Sequence, residues 1–195
     1  STAPTFQQVR GVLWQEIRRL QTKERLVGTV NQTEWWIGPE QVGIGRKPAD
    51  YAPAAFQGYH AEWLLVIIDE IAGVPQEILD AARSLASSEH SRILALGNPD
   101  FQGSMFNRLC LPGSGWNAIC LDVLDSPNFT GEDVPEQVPA MLTSKIWVDE
   151  LVRDYGDDSP AYQARVRGLF PAAQDSGVVR WSDLVRCQTT QDWRP

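Results

Sequence analysis

The chain has 195 residues, 43% of them apolar and 9% aromatic, and its 17 basic and 25 acidic side chains give a net charge of −8. This composition excludes an intrinsically disordered or low-complexity chain, because it provides enough apolar surface to offset chain entropy. The net charge disfavours binding to nucleic acid through bulk electrostatics, although residues 1–60 hold seven basic and five acidic side chains.

The first predicted element is an amphipathic helix. Apolar side chains recur three or four residues apart, at Phe6, Val9, Leu13, Ile17 and Leu20. Thr5 and Gln8 have the spacing of a capping box, which begins a helix. The opposite face carries five basic side chains, Arg10, Arg18, Arg19, Lys23 and Arg25. We expect a solvated helix face there, with contact to nucleic acid as the alternative.

A β-hairpin is predicted next. Two strand-like runs, 33–37 and 41–45, flank Gly38-Pro39-Glu40, and this pattern is typical of a hairpin. The adjacent Trp35 and Trp36 are expected to pack rather than to stack on a ligand. Proline and glycine at several positions indicate a loop over residues 47–59.

The centre of the chain predicts a strand–helix–strand unit. The apolar run 64–68 is expected to form a strand buried on both faces of a parallel sheet, and it is too short to span a bilayer. Gly73 ends it, and Pro75 is expected to be the first residue of the following helix. Residues 91–96 form the second strand, so the two strands should run parallel through a right-handed crossover.

The remaining elements are shorter. After a loop over 100–115, a third strand is predicted at 116–123, and the acidic, proline-rich stretch 125–141 is interpreted as a lid or linker. Helices are predicted from Ser144 to Tyr155 and from Ser159-Pro160 onward, ended by Gly168 and Pro171. The second of these helices is expected to turn three side chains inward, Tyr162, Val166 and Leu169.

The cysteine and histidine content predicts a reduced protein without a metal cage. The three cysteines, Cys110, Cys120 and Cys187, are odd in number and widely spaced, which is typical of the cytoplasm rather than of a disulfide framework. The two histidines give no zinc-binding spacing. No signal peptide pattern opens the sequence.

Polar residues follow both central strands and suggest a nucleotide site. Asp69 and Glu70 end the first strand, where Asp69 could hold Mg²⁺ through water and Glu70 could activate the attacking water. Gly97-Asn98-Pro99 ends the second strand, and Asn98 could sense a γ-phosphate. Parallel strands bring their carboxyl ends to one edge, where ligands bind in open α/β sheets. Taken separately, a solvent-facing acidic pair and an Asn-Pro turn would need no function.

Several motifs in one order resemble the large terminase subunit of tailed bacteriophages. They are Thr2-Ala3-Pro4-Thr5-x-x-Gln8-Val9, Phe56-Gln57-Gly58-Tyr59-His60, Leu65 to Glu70 followed by x-x-Gly73-Val74-Pro75, and Leu96-Gly97-Asn98-Pro99. Residues 155–171 resemble the stretch that leads from that family's ATPase domain toward its nuclease domain. The resemblance therefore covers nearly the whole chain.

The resemblance implies part of an ATP-driven motor that packages double-stranded DNA into procapsids. Asp69 and Glu70 match the Walker B acids, which act on Mg-ATP and water, and Gly97 and Asn98 match the coupling motif. Gln57 and His60 fall in a family segment near the nucleotide or a neighbouring subunit. The implied partners are DNA, the portal or procapsid, the small terminase subunit and further copies of the motor subunit, in the host cytoplasm. The implied fold is α/β, a P-loop NTPase-like and mostly parallel sheet flanked by helices.

The main departure from the family is the phosphate-binding loop. The pattern G-x-x-x-x-G-K-[ST] does not occur. Residues 43–48 partly resemble it, but Pro48 stands where the loop needs serine or threonine. We expect the chain to begin downstream of that loop, to lack its central strand, and to be inactive in hydrolysis alone. The strands at 91–96 and 116–123 would then leave an open edge, pair directly or recruit another strand. Residues 1–124 are predicted to be a partial ATPase domain, and 125–195 a lid and linker toward an absent nuclease.

The residues are also compatible with two other functions. A helicase-like P-loop motor also carries Asp-Glu after a buried strand, although Gly97-Asn98-Pro99 argues against it. An acidic α/β interaction module without turnover would need neither motif.

Overall fold

The computed structural model describes residues 1–47, 59 and 61–172, and it divides the chain into two compact units, Ser1–Asn98 and Pro99–Pro195. This division by contacts falls earlier than the predicted functional boundary after residue 124, which stays a prediction. Gln57 and His60 lie outside the described residues. None of the helices in the described ranges has the length and apolar character that crossing a bilayer requires.

The first unit begins with a helix that contains a π-helical turn. Helix α1 (Phe6–Gln8) continues through the π turn Val9–Leu13 into α2 (Trp14–Lys23). The predicted capping box is confirmed, because Thr5 Oγ1 accepts from the Gln8 amide and the Gln8 side chain accepts from the Thr5 amide. Val9 and Trp14 are buried, whereas Phe6 and Leu20 at the ends of the predicted apolar stripe are exposed.

A three-stranded antiparallel sheet packs against this helix. It consists of β1 (Thr29–Asn31), β2 (Glu34–Ile37) and β3 (Glu40–Ile44) in that order. Strands β2 and β3 form the predicted hairpin, and β1 is an additional strand that was not predicted. Trp35 packs against the cluster of Ala3, Val9 and Trp14, as expected for a structural side chain.

The parallel strand pair is confirmed. Strand β4 (Trp63–Ile68) pairs with β5 (His90–Ala95) in register from Trp63–His90 to Ile68–Ala95. Helix α3 (Gln76–Leu85) lies between them in sequence and contacts β5, with Ile78, Leu79 and Ala82 buried. Pro75 was predicted to be the first helical residue, but it is the N-cap, and α3 begins one residue later than predicted.

The prediction that β4 is buried on both faces is wrong. Val66 and Ile68 are buried, but Trp63 is 71% exposed and Leu65 is 56% exposed. Only the face toward α3 is covered in the described residues. No described strand pairs with the other edge of β5, so of the three expected arrangements the open edge is the one observed.

The second unit is built from short helices. They are α4 (Met105–Cys110), α5 (Pro127–Thr130), α6 (Gln137–Met141), α7 (Lys145–Tyr155) and α8 (Pro160–Arg165). The core consists of Val148, Leu151 and Val166. The predicted helix starts are confirmed: Ser159 is the N-cap of α8 with Pro160 as its first residue, and Ser144 caps α7, each hydroxyl accepting from a backbone amide in the first turn.

Three predictions for the second unit are wrong. Residues 100–115 are not a loop throughout, because Ser104 caps helix α4 within them. The predicted strand 116–123 does not form: Val123 lies in a 3₁₀ turn and donates its backbone hydrogen bond to Val166 O (2.8 Å), and Ile119 and Leu121 are exposed. Leu169 does not turn inward and is half exposed, since Gly168 adopts a positive φ of 62° and ends the inward-facing pattern.

The described cysteines, Cys110 and Cys120, are both free thiols. Burial, and secondarily the neighbouring Cys120, raise the pKa of the Cys110 thiol.

Candidate nucleotide site

The carboxyl ends of β4 and β5 meet at one edge of the parallel sheet. The Leu96 amide donates to Ile68 O (2.9 Å), and the Ile71 amide donates to Leu96 O (2.8 Å). These two bonds hold the Asp69-Glu70 turn against the strand end that leads into Gly97-Asn98. The structure therefore brings the two motifs together, as parallel pairing predicts.

Thr2 fixes the other side of β4. Its amide donates to Ile67 O (2.9 Å), and the Asp69 amide donates to Thr2 O (2.9 Å), which forms a parallel bridge at the end of the strand. Thr2 is almost fully buried. The backbone of Asp69 is thus positioned by a residue 67 places earlier in sequence. Sequence reasoning identified the Thr-Ala-Pro-Thr motif but assigned Thr2 no role, because its contact depends on tertiary structure.

Pro4 extends this support to the turn after Glu70. A Cβ atom added to Gly73 would lie 2.8 Å from Pro4 Cγ, so the two segments approach more closely than a side chain at position 73 permits. Gly73 is therefore required here for close packing; it does not end the strand as predicted, since β4 ends at Ile68 and Gly73 closes the 3₁₀ turn Ile71–Gly73.

Glu70 adopts a left-handed backbone conformation, with φ 50° and ψ 50°. This region costs an L-residue other than glycine roughly 1–2 kcal/mol, and such strain recurs at functional sites. Asp69 Oδ1 accepts a hydrogen bond from the Glu70 amide (3.1 Å), which stabilises the turn. Glu70 is exposed and Asp69 is half-buried.

The chemistry of this edge fits a divalent cation bound mainly by water and phosphate. In the described part of the chain, no group of three or more His, Cys, Asp and Glu side chains could form a metal cage. Mg²⁺ needs no such cage, since it keeps several waters and takes one or two carboxylates together with substrate phosphates. Asp69 and Glu70 provide two carboxylates that solvent can reach.

The remaining predicted site residues divide into two groups. Gly97 and Asn98 are exposed at the same edge, so both are open to a ligand. Nothing in the described residues tests Gln57 and His60, which stay predictions.

The comparisons with known proteins point to one family. No protein-family model matches the sequence. The chain is 30% identical over 140 residues to a probable terminase large subunit of Enterobacteria phage P7, a match that covers 68% of this chain and 26% of that protein.

The fold agrees with a solved large terminase. The large terminase of a thermophilic bacteriophage, determined in complex with ADP, superposes with a TM-score of 0.58 over 87% of this chain and 39% of its own, at 15% identity. The likeness supports the expected P-loop NTPase-like α/β fold. The chain spans about a quarter of the curated relative and two fifths of the solved one. The sequence match and the fold together place this chain among the large subunits of phage terminases.

Proposed function

We propose that this chain is part of the ATP-hydrolysing motor that packages double-stranded DNA into phage procapsids in the host cytoplasm. The observation that carries the proposal is the meeting of Asp69-Glu70 with Gly97-Asn98 at one sheet edge, in a chain related to terminase large subunits. The portal or procapsid, the small terminase subunit and further motor subunits are its proposed partners.

In this proposal Asp69 binds the Mg²⁺ of Mg-ATP, mainly through water. The carboxylate stands at the end of a rigid strand, and its backbone is held by Thr2. Mg²⁺ would neutralise charge on the phosphates during hydrolysis. Asn98 offers one donor and one acceptor for the terminal phosphate or the attacking water.

Glu70 is the proposed base that orients and deprotonates the attacking water. Its left-handed backbone directs the residue away from the path of β4, and the Asp69 carboxylate fixes the turn. A base held in a fixed position contributes about 10²–10⁴-fold to a rate. The two backbone bonds of Leu96 would couple a shift of Gly97-Asn98 to this turn.

The test is turnover in a longer polypeptide that joins this chain to a phosphate-binding loop. We expect Glu70→Gln to lower ATP hydrolysis by about 10²-fold or more, in line with loss of a general base, while nucleotide binding is kept. Asp69→Asn should instead weaken Mg²⁺-dependent binding. Glu77→Gln, an exposed carboxylate on α3, is the matched control. Turnover by Glu70→Gln close to that of the control would contradict the proposed role.

The 195-residue chain by itself is expected to show negligible ATP turnover. The sequence contains no G-x-x-x-x-G-K-[ST] loop, whose amides and lysine would hold the β- and γ-phosphates. Phosphate release by the purified chain is the measurement. Release that Glu70→Gln abolishes would show that the loop is dispensable and that this expectation is wrong.

A further inference from the structure

A basic surface lies on the helix at the start of the first unit. We define the basic helix surface as the side chains of Arg10, Arg18, Arg19, Lys23 and Arg25. Residues 10–25 hold these five basic and only two acidic side chains, so the segment is net +3 in a chain that is net −8. A local field of this sign stands out against the acidic remainder of the molecule.

The members of this surface follow one another along the helix and the residues just after it. The Arg18 guanidinium donates to Arg10 O (3.5 Å) and also to Gln32 O, so it joins the helix to the turn between β1 and β2. Arg19 and Lys23 are one helical turn apart on α2, and the Arg25 amide donates to Thr22 O (3.4 Å) just after the helix ends. From residue 10 to residue 23 the helix extends about 20 Å.

Two acidic side chains lie among these basic ones, but they do not neutralise the surface. Glu16 pairs with Arg19 (2.7 Å) and Glu24 with Lys23 (3.4 Å). All four side chains in these pairs are more than half exposed. Exposed pairs of this kind contribute little to stability, so both cations can exchange partners with a polyanion at low cost.

We propose that the basic helix surface contacts the phosphate backbone of duplex DNA. This inference rests on the proposed packaging function and adds the surface through which the first unit would touch DNA. Duplex DNA carries one negative charge per ~1.7 Å of its axis, so a surface about 20 Å long faces several phosphates at once. Contact limited to a net charge of +3 would be weak and independent of base sequence, as a motor that must release DNA requires.

The test measures binding of the 195-residue chain to a fluorescent duplex of about 30 base pairs at several salt concentrations. We expect the logarithm of the association constant to fall with the logarithm of salt concentration at a slope of about −3, from about three phosphate contacts. Arg10→Gln, Arg19→Gln and Lys23→Gln should each reduce the slope by about 1. Arg18 is left unchanged, because its contact with Gln32 O is also structural.

Charge-matched variants separate a local surface from total charge. Glu16→Gln with Glu24→Gln frees Arg19 and Lys23 and should tighten binding and steepen the slope. Asp149→Asn with Glu150→Gln changes the net charge equally at exposed positions of α7, in the other unit, and should have a smaller effect. The removal of one cation at Arg153, by Arg153→Gln on α7, is the control for the three basic variants.

The proposal is overturned if the chain does not bind the duplex at about 50 mM salt, where such contacts are strong. It is also overturned if the α7 variants change binding as much as the helix variants do, or if the helix variants affect binding only to phosphatidylserine vesicles. These outcomes are distinct from failure of the packaging function, since ATP hydrolysis and its dependence on Glu70 are measured separately.

Discussion

Glu70 has a backbone conformation that favours glycine, in a turn where the proposed chemistry favours a carboxylate. Its φ is 50°, and only two other non-glycine residues in the described chain have a positive φ, Arg25 and Gln32. Those two lie in exposed turns, whereas Glu70 follows the end of β4 shortly after the buried Ile68. Function rather than stability therefore accounts best for a glutamate here under the proposed mechanism.

Replacement of Glu70 should separate backbone strain from loss of the side chain. Glu70→Gly and Glu70→Ala both remove the carboxylate, but only alanine retains the cost of a left-handed conformation. We expect Glu70→Gly to exceed Glu70→Ala in free energy of unfolding by about 1 kcal/mol. Urea unfolding of the chain is the measurement. Equal stabilities would mean that the turn relaxes to a negative φ and is not strained in solution.

Asp122 is a residue whose two carboxylate oxygens stabilise different partners. Oδ2 accepts from Arg167 Nε (2.6 Å), and Oδ1 accepts from the Leu124 amide (2.9 Å) at the start of a 3₁₀ turn. Its side chain is only 16% exposed, so the pair is better shielded than the other ion pairs described.

Substitution of Asp122 should test this arrangement. Asp122→Ala is expected to lower the free energy of unfolding by about 1–3 kcal/mol, because it removes a cap and leaves Arg167 without its carboxylate. Asp122→Asn should cost less, since its carbonyl still accepts from Leu124. Thermal unfolding compares the two, and an equal loss would show that the ion pair, rather than the cap, provides the stability.

At the scale of elements, the site depends on how the Thr-Ala-Pro segment packs on the turn after β4. Thr2 bonds to both sides of Ile68, and Pro4 lies against Gly73. The amide of Thr2 and the close approach at Gly73 thus hold the same turn from two directions. The position of Asp69 is a property of this pair of segments and not of β4 alone.

A glycine pair tests the packing at this turn. Gly73→Ala is expected to destabilise the chain by about 1–3 kcal/mol, because its Cβ would overlap Pro4. Gly11→Ala is the matched control: apart from the backbone of its own helix, no described atom lies within 4 Å of the added Cβ, and alanine favours helix, so stability should rise by up to about 1 kcal/mol. Denaturant midpoints of both variants give the comparison. A neutral Gly73→Ala would show that Pro4 can move away freely.

At the scale of the whole molecule, the described residues cover only one of the two faces of the parallel strand pair. Trp63, Leu65 and Leu94 are exposed on one side, while Val66, Ile68 and the α3 side chains form the core on the other. Apolar sequence alone therefore does not identify which strand residues are buried.

Replacement of leucine by alanine should change the free energy of unfolding much less on the exposed side of the strand pair than on the buried side. Leu65→Ala, at a position 56% exposed, is expected to change the free energy of unfolding by less than about 1 kcal/mol. Leu79→Ala, at a fully buried position on α3, should cost about 2–5 kcal/mol. Equilibrium unfolding of both variants is the measurement. A large cost at Leu65 would mean that another surface covers this face in solution, for instance through self-association.

The local elements of this protein were predictable because their signals are short-range. The capping box at Thr5 and Gln8, the hairpin around Gly38-Pro39 and the serine caps of α7 and α8 each depend on residues within a few positions of one another. The parallel pairing of β4 and β5 also follows from sequence, because a strand–helix–strand order permits few topologies.

The residues proposed to carry the chemistry, Asp69, Glu70, Gly97 and Asn98, follow from local sequence patterns, as does the prediction that they share a sheet edge. The contacts that hold them become visible only in the folded chain: the bridge from Thr2, the approach of Pro4 to Gly73 and the left-handed turn at Glu70. The pairing and burial in the folded chain also explain why the predicted strand 116–123 does not form and why β4 is exposed on one face. Burial and backbone pairing depend on segments far apart in sequence, so no local pattern specifies them.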